Sequence, residues 1–283
     1  MNKIRGKFAL VTGASGGVGG VIANVLAEEG VSLILTALHL RALEHTAAGA
    51  RERGVSVHCI AADLREPGDI AMLVERAEIE SGGIAILVNN AGAEHASSYE
   101  CIDLERMTGL ISLNLIAPMI LSRLLLPDMI RRAEGHIVNI ASLAGLVGTP
   151  YEEAYAASKH GLVGFSRSLR VSLRSDGHRV GVSVICPGMV RGAGMYEAAT
   201  AATGMKAPVM IGSVPVEKVG RAVVRAIVSD EPEIVLNGVP ILPLLVMQVL
   251  SPRFADRIVA AAGVPGMFKT WAAASASTKG TFE

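Results

Sequence analysis

The chain has 283 residues with 26 Lys plus Arg against 26 Asp plus Glu, so its formal charge is zero; 51% of its residues are hydrophobic and only 4% aromatic. That length suits one large α/β domain with a sizeable core, and the balanced charge argues against nucleic acid or an acidic membrane as an obligatory partner. Cys59, Cys101 and Cys186 lack metal-ligand spacing; they read as small apolar fillers in a reducing compartment, and no metal site is expected.

The N-terminus enters an apolar strand within eight residues. That leaves no room for a secretory leader, so a cytoplasmic protein is expected. Residues 7–12 (KFALVT) read as a buried parallel strand, followed by the loop TGASGGVG at 12–19 and an amphipathic helix ending at Gly30. Strand, glycine loop and helix in this order open a βαβ unit whose amides and positive helix N-terminus face an anion. Gly13 then makes the tight turn, Gly17 lets the backbone approach a pyrophosphate, and Gly19 lets helix and strand pack closely. The plainer alternative is a glycine-rich turn without a ligand.

The unit repeats. Strands are expected at 31–36, 55–61 and 84–89, with helices at 39–53, closed by Gly54, and 67–81, begun by proline. The fourth strand runs into NNAG at 89–92. A helical region from about Leu104 precedes a long apolar helix at 115–132 and a fifth strand at 136–141, which ends on Ser142. The helix carrying Tyr155 extends to about Ser175, and a sixth strand at 180–185 reaches Pro187 and Gly188. This alternation predicts a single-domain, Rossmann-type α/β fold: a doubly wound parallel sheet of about seven strands, helices on both faces, with right-handed crossovers. Ligands collect beyond the carboxyl ends of such strands, and the glycine loop, Asp63, NNAG, Ser142 and Pro187-Gly188 all fall there.

Residues 189–215 have little regular pattern and read as a mobile substrate lid. A helix at 216–228 and a strand at 233–236 complete a catalytic domain spanning 1–238. Residues 239–283 form an apolar extension whose longest run is broken by Pro240 and Pro243 and is too short to span a membrane. Four roles stand open for it: packing on the body, covering the cleft, joining a partner subunit, or touching a membrane surface, with the first three together favoured over the last. The final stretch, ASASTKGTFE, is expected to be disordered.

Tyr155 and Lys159, in YAASK, stand one helical turn apart on one face. A cation so close is expected to lower the phenol's pKa from its ordinary ~10 and make it a proton donor. Tyr151, read as one turn earlier on the same face, is the local rival, but it has no lysine four residues on.

Taken jointly, TGxxxGxG (Thr12, Gly13, Gly17, Gly19), NNAG, Asn114, Ser142, YxxxK (Tyr155, Lys159) and Pro187-Gly188 run in order over roughly 7–188, and the set resembles the short-chain dehydrogenase/reductase family. The resemblance implies an NAD- or NADP-dependent oxidoreductase acting on a small-molecule carbonyl/alcohol pair. Tyr155 would be general acid or base, and Lys159 would lower its pKa and hold the nicotinamide ribose hydroxyls. Ser142 would bind the substrate oxygen, and Asn114 would anchor a water linking Lys159 to solvent. Cofactor contacts would fall on Gly13, Ser15, Gly17, Val18, Gly19, Asp63, Leu64, Asn90, Ala91, Gly92, Tyr155, Lys159, Pro187, Gly188 and Val190. Plainer readings stand beside these: Asp63 as a helix cap, Asn114 as a helix-bending or capping amide, Ser142 as a turn residue, and Asn89 as a tie between strands that also borders the adenosine.

The chain departs from the family pattern twice. After the second strand Ala37, Leu38 and His39 provide neither an acid for NAD nor a base for NADP; Arg41 lies beyond, Gly16 argues weakly against NADP, and the choice stays open. Gly192 stands where a threonine usually contacts the carboxamide. The leading expectation is an oxidoreductase for a lipophilic substrate; the alternative is a catalytically weak nucleotide-binding sensor or scaffold. By the same resemblance a homodimer or homotetramer is expected, paired through helices 115–132 and 152–175.

Overall fold

The computed structural model describes residues 4–208 and 211–277. In chain order the strands and helices are β1 Phe8–Thr12, α1 Gly17–Glu28, β2 Ser32–Ala37, α2 Leu40–Arg51, β3 Val57–Ala61, α3 Pro67–Ser81, β4 Ile86–Asn89, α4 Leu104–Ile111, α5 Ala117–Arg131, β5 Gly135–Ile140, α6 Glu153–Ser175 and β6 Val180–Pro187. Then follow β7 Val190–Arg191, α7 Met195–Thr203, β8 Val214–Pro215, α8 Val216–Ser229, β9 Glu233–Leu236, α9 Leu242–Leu250, α10 Pro252–Ala261 and α11 Val264–Ser277. The seven-stranded sheet has the order β3-β2-β1-β4-β5-β6-β9, and every pair in it is parallel.

Alternation along each strand builds a core on each face. Ala9, Val11, Leu33, Leu35, Ile86 and Val88 pack on one side with α1 and α8, whereas Leu10, Ile34 and Leu87 pack on the other with α3 and α5. Each fully buried Leu or Ile contributes about 1.5–3 kcal/mol, so the central strands hold the sheet rigidly under whatever binds at its edge. The strand order reverses direction at β1 and β4, which opens a crevice at their carboxyl ends.

Four expectations are corrected. First, the helical region near Leu104 and the helix expected at 115–132 are one continuous helix, with α4 joined to α5 by a π turn at Ser112–Ile116; Pro118, which has no N–H to give, follows that turn. This span, Leu104–Arg131, has the length and apolarity of a membrane-crossing helix, yet its Leu121, Leu125 and Met129 are packed in the core. Second, the segment expected to be irregular contains α7 and a short β7–β8 ribbon. Four alanines between 198 and 202 favour the helix, and it stops at Gly204 in the left-handed conformation (φ 69°). Third, the C-terminal prolines start helices rather than interrupt structure: Pro243 and Pro252 sit in first turns, where a missing N–H costs nothing. Fourth, residues 274–277, expected to be disordered, lie in α11; the rest of that stretch is outside the described residues.

Candidate active site

The carboxyl ends of the central strands open into a cavity of about 460 Å³. Its wall carries Gly13, Ser15, Val18, Gly19, Asp63, Leu64, Asn90, Ala91, Gly92, Ser142, Tyr155, Lys159, Pro187, Gly188 and Val190. Of the residues expected there, Gly17, which is exposed, and Asn114, which is buried, do not line it.

The glycine-loop end is shaped by close packing. A Cβ on Gly19 would overlap the Gly13 carbonyl and stand 2.6 Å from Asn90 Nδ2, so only glycine lets α1 approach β1. Thr12 and Asn90 fasten the loop: Thr12 Oγ1 accepts from the amides of Asn90 and Ala91 at 2.9 Å, and Asn90 Nδ2 donates to the Thr12 and Gly13 carbonyls at 3.0 and 3.2 Å. The first turn of α1 has no side-chain cap and no acidic residue. Its amides keep their partial positive charge for an anion.

Asp63 caps no helix. Its carboxylate accepts from Arg65 Nε and Nη2 at 2.9 and 2.5 Å, which holds its pKa below the usual carboxylate range. Asp69, in the first turn of α3, takes the Asp63 amide instead at 2.9 Å. Asn89 does tie strands, donating to Asn139 Oδ1 at 2.8 Å across β4 and β5, but it does not reach the cavity.

At the other end, α6 presents Tyr155 and Lys159, both almost fully buried. Ser142, just past β5, hydrogen-bonds the Tyr155 side chain and accepts from the Ala144 amide at 3.1 Å. Lys159 Nζ lies 5.6 Å from the Tyr155 ring centroid and donates to the Ile140 carbonyl at 3.0 Å. Asn114, in the π turn, clasps the backbone after NNAG: its Oδ1 accepts from Ala93 N and its Nδ2 donates to Ala93 O, both at 2.9 Å, with a further bond to Ser158 Oγ at 3.1 Å. Both amide protons of the side chain therefore go to protein. Gly92 lies between the two motifs, since a Cβ there would stand 3.0 Å from Asn114 Oδ1 and 3.4 Å from Lys159 Nζ. Tyr151 is not on the helix; it precedes α6 with a left-handed φ of 63° and packs against α11.

The electrostatics correct one expectation. The Tyr155 pKa is raised, mainly by burial and then by the charges of Glu94 and Glu152, while the Ser142 hydrogen bond pulls the other way. The expected acidification by Lys159 does not prevail against burial and the two acids; its ammonium stands over the ring and donates to the Ile140 carbonyl. Burial also lowers Lys159 to about 8.

One pair of wall residues was not anticipated, and a second group takes one of the roles left open for the C-terminal extension, covering the cleft. Glu94 and Glu152 face the cavity, each abutting a motif: one lies two residues past NNAG, the other three before Tyr155. An acid next to each motif is the only trace they leave in the sequence. Ile241, Leu244, Val259, Val264, Phe268 and Trp271 bring the C-terminal helices onto the apolar part of the wall. Phe268 and Trp271 meet edge to face at 5.0 Å, and Trp271 also meets Tyr196 of α7 at 6.1 Å.

Comparison with known proteins agrees with this geometry. The family model described as short chain dehydrogenase matches residues 7–203. A ketoacyl reductase, HetN, of Nostoc sp. is 36% identical over 263 residues, 91% of this chain and 90% of its own, so the likeness reaches into the C-terminal helices. A D-beta-hydroxybutyrate dehydrogenase of Cupriavidus necator is 35% identical over 187 residues, 66% of this chain and 72% of its own. Among solved structures, a metagenomic short-chain oxidoreductase in complex with NADP superposes with a TM-score of 0.70 at 30% identity, covering 82% of this chain and 97% of that one. An NAD+-bound xylitol dehydrogenase, at 24% identity and TM-score 0.75 over 84% of this chain and all of its own, shares the fold. The chain belongs to the short-chain dehydrogenase family of oxidoreductases.

Proposed function

We propose that the protein interconverts a lipophilic ketone or aldehyde and the corresponding alcohol with NAD or NADP, Tyr155 acting as general acid in reduction and general base in oxidation. The observation that carries this reading is the single cavity joining an uncapped glycine-loop helix N-terminus to the Ser142-Tyr155-Lys159 group and then to an apolar wall. The residues present fit a dinucleotide. Gly13, Ser15, Val18 and Gly19 would take its phosphates at α1, Asp63 and Leu64 its adenine end, and Asn90 to Gly92 its middle; Lys159 would hold ribose hydroxyls. When bound, the dinucleotide gives or takes the hydride.

The chain's own residues handle the oxygen and its proton. Ser142 holds the substrate oxygen against the Tyr155 hydroxyl, and Tyr155 donates its proton as negative charge grows there. The Lys159 ammonium then stabilises the phenolate left behind. A raised phenol pKa keeps the proton in place at neutral pH, which suits the reducing direction. Ala37 and Leu38 offer neither acid nor base on the wall, so both dinucleotides enter the proposal. Pairing of subunits through the long helices belongs to the same reading, supported by exposed Ile116, Met119, Leu124 and Val171.

The test is to incubate the protein with NADH or NADPH and a panel of medium-chain ketones and aldehydes while following the absorbance of the reduced nicotinamide. Dinucleotide oxidation that depends on the carbonyl is the expected result. Tight dinucleotide binding with no turnover across the panel would favour the sensor reading instead.

A further inference from the structure

Glu94 and Glu152 line the cavity. Glu152 is 4% exposed, its side chain does not cap α6, and no hydrogen bond or ion pair reaches either carboxylate among the described residues. Lys159 acts on Glu94 through space, and one of the three donors of its ammonium goes to the Ile140 carbonyl. Glu94 is half-buried, and neither carboxylate is among the fully enclosed side-chain atoms without a partner, so both acids are open to the cavity; a carboxylate in such a place with few donors gains from a group that brings a donor or a positive charge to it.

The surroundings indicate what that group is. Leu143, Met189, Tyr196, Phe268 and Trp271 make the adjoining wall apolar. Glu152 is the last residue before α6, three before Tyr155, and both line the same cavity, so a group meeting Glu152 shares that cavity with the proton donor. Resting on the proposed carbonyl/alcohol chemistry, we infer that Glu94 and Glu152 are specificity-determining residues that select a lipophilic amino ketone or amino alcohol, its protonated amine near the carbonyl or hydroxyl carbon, and reject the matching carboxylic acid.

The electrostatics agree with such a role. Burial lifts the Glu94 carboxyl to about 7, with Lys159 opposing, and burial together with Glu94 and Glu153 lifts Glu152 well above the usual carboxylate range. Both acids also push the Tyr155 pKa up. An ammonium between them therefore does two things: it favours their ionised forms and relieves the phenol of their charge. A substrate carboxylate in the same place adds a third like charge and does the opposite.

The experiment uses a matched set of ten-carbon probes, 1-aminodecan-2-ol, decan-2-ol and 3-hydroxydecanoate, with the full-length protein saturated with its preferred oxidised dinucleotide. Calorimetric affinities are measured for wild type, Glu152→Gln and Glu94→Gln, and oxidation rates are followed in parallel. The inference expects the amine to bind at least about tenfold more tightly than decan-2-ol and the acid more weakly than both. It also expects the amine-to-alcohol ratio to collapse towards one in Glu152→Gln and to shrink in Glu94→Gln. Glutamine keeps the shape and removes the buried charge, so the melting temperature reports whether each variant is folded. Amine preference with no oxidation of any probe would leave the acid pair standing and remove the catalytic reading. An amine that binds no better than the acid, or a ratio untouched in both variants, overturns the inference.

Discussion

Gly19 shows how far a single position constrains the site, and His136, at the end of β5 away from the cavity, how far one constrains the fold. Gly19→Ala places a methyl against the backbone of Gly13, which cannot move without shifting β1 from α1. Overpacking of this kind costs about 1–3 kcal/mol, so the variant is expected to melt several degrees lower and to lose dinucleotide affinity at the same time. Thermal melting with and without dinucleotide checks this, and a full-affinity Gly19→Ala protein would refute the packing argument. His136 is buried and 2.8 Å from Ser183 Oγ. Ser183 gives its own proton to the Glu231 carbonyl at 2.5 Å, so His136 Nε2 is the donor in that pair. Burial, with Arg170 and Arg174, depresses the His136 pKa to about 4. The unfolded chain then binds the extra proton between pH ~6.5 and ~4, so stability is complete above 6.5 and falls by about 3 kcal/mol as the pH drops to 4. Urea midpoints at pH 7 and 4.5 read this loss, and ring resonances of His136 titrating near 6.5 would contradict it. At this scale the sequence was most informative where chemistry is local. Tyr155, Lys159 and the NNAG glycine announce themselves by spacing, whereas Glu94 and Glu152 acquire meaning only when folding brings them to one wall.

Among the elements, the sheet and its crossover helices were legible because short continuous apolar runs with glycine or proline boundaries are strong signals. The expected strand at 233–236 and helix at 67–81 coincide with β9 and α3. The π turn that joins α4 to α5 has no such signal, and the C-terminal helices were obscured because prolines at helix starts look like breaks when the partner surface is unknown. Those helices close the apolar end of the cavity. Trp271→Ala removes the ring that meets both Phe268 and Tyr196, leaving the wall open. The expected outcome is a KM for long-chain substrates raised at least about tenfold, a loss comparable to 1.4 kcal/mol, with dinucleotide affinity little changed. Equal weakening of both would mean that α11 supports the whole fold rather than the substrate end. The outer faces of α9 and α10 expose Leu242, Val246, Val249, Leu250 and Phe254, so these helices have one apolar side toward the cavity and one away from it.

For the molecule as a whole, a neutral chain folds around one rigid parallel sheet and leaves its variable chemistry to the segments beyond the strand ends. Ile116, Met119 and Leu124 on the continuous α4–α5 helix and Val171 on α6 are exposed. If these helices pair subunits, Leu124→Glu is expected to shift the mass measured by light scattering from a dimer or tetramer to a monomer, and a wild-type monomer would remove that expectation. Dinucleotide choice was not legible because Ala37 and Leu38 have no charge to read, and the substrate was legible only as apolar until the acid pair came into view.

The central claim is that one buried phenol moves the proton while the rest of the cavity holds the dinucleotide. Single-turnover hydride transfer by Tyr155→Phe, set beside its dinucleotide affinity, tests this most directly. The account predicts a rate lower by about 10²–10⁴ with affinity retained, because only the acidic proton is removed from an otherwise unchanged ring. Hydride transfer at the wild-type rate, or rate and affinity lost in equal measure, would contradict it.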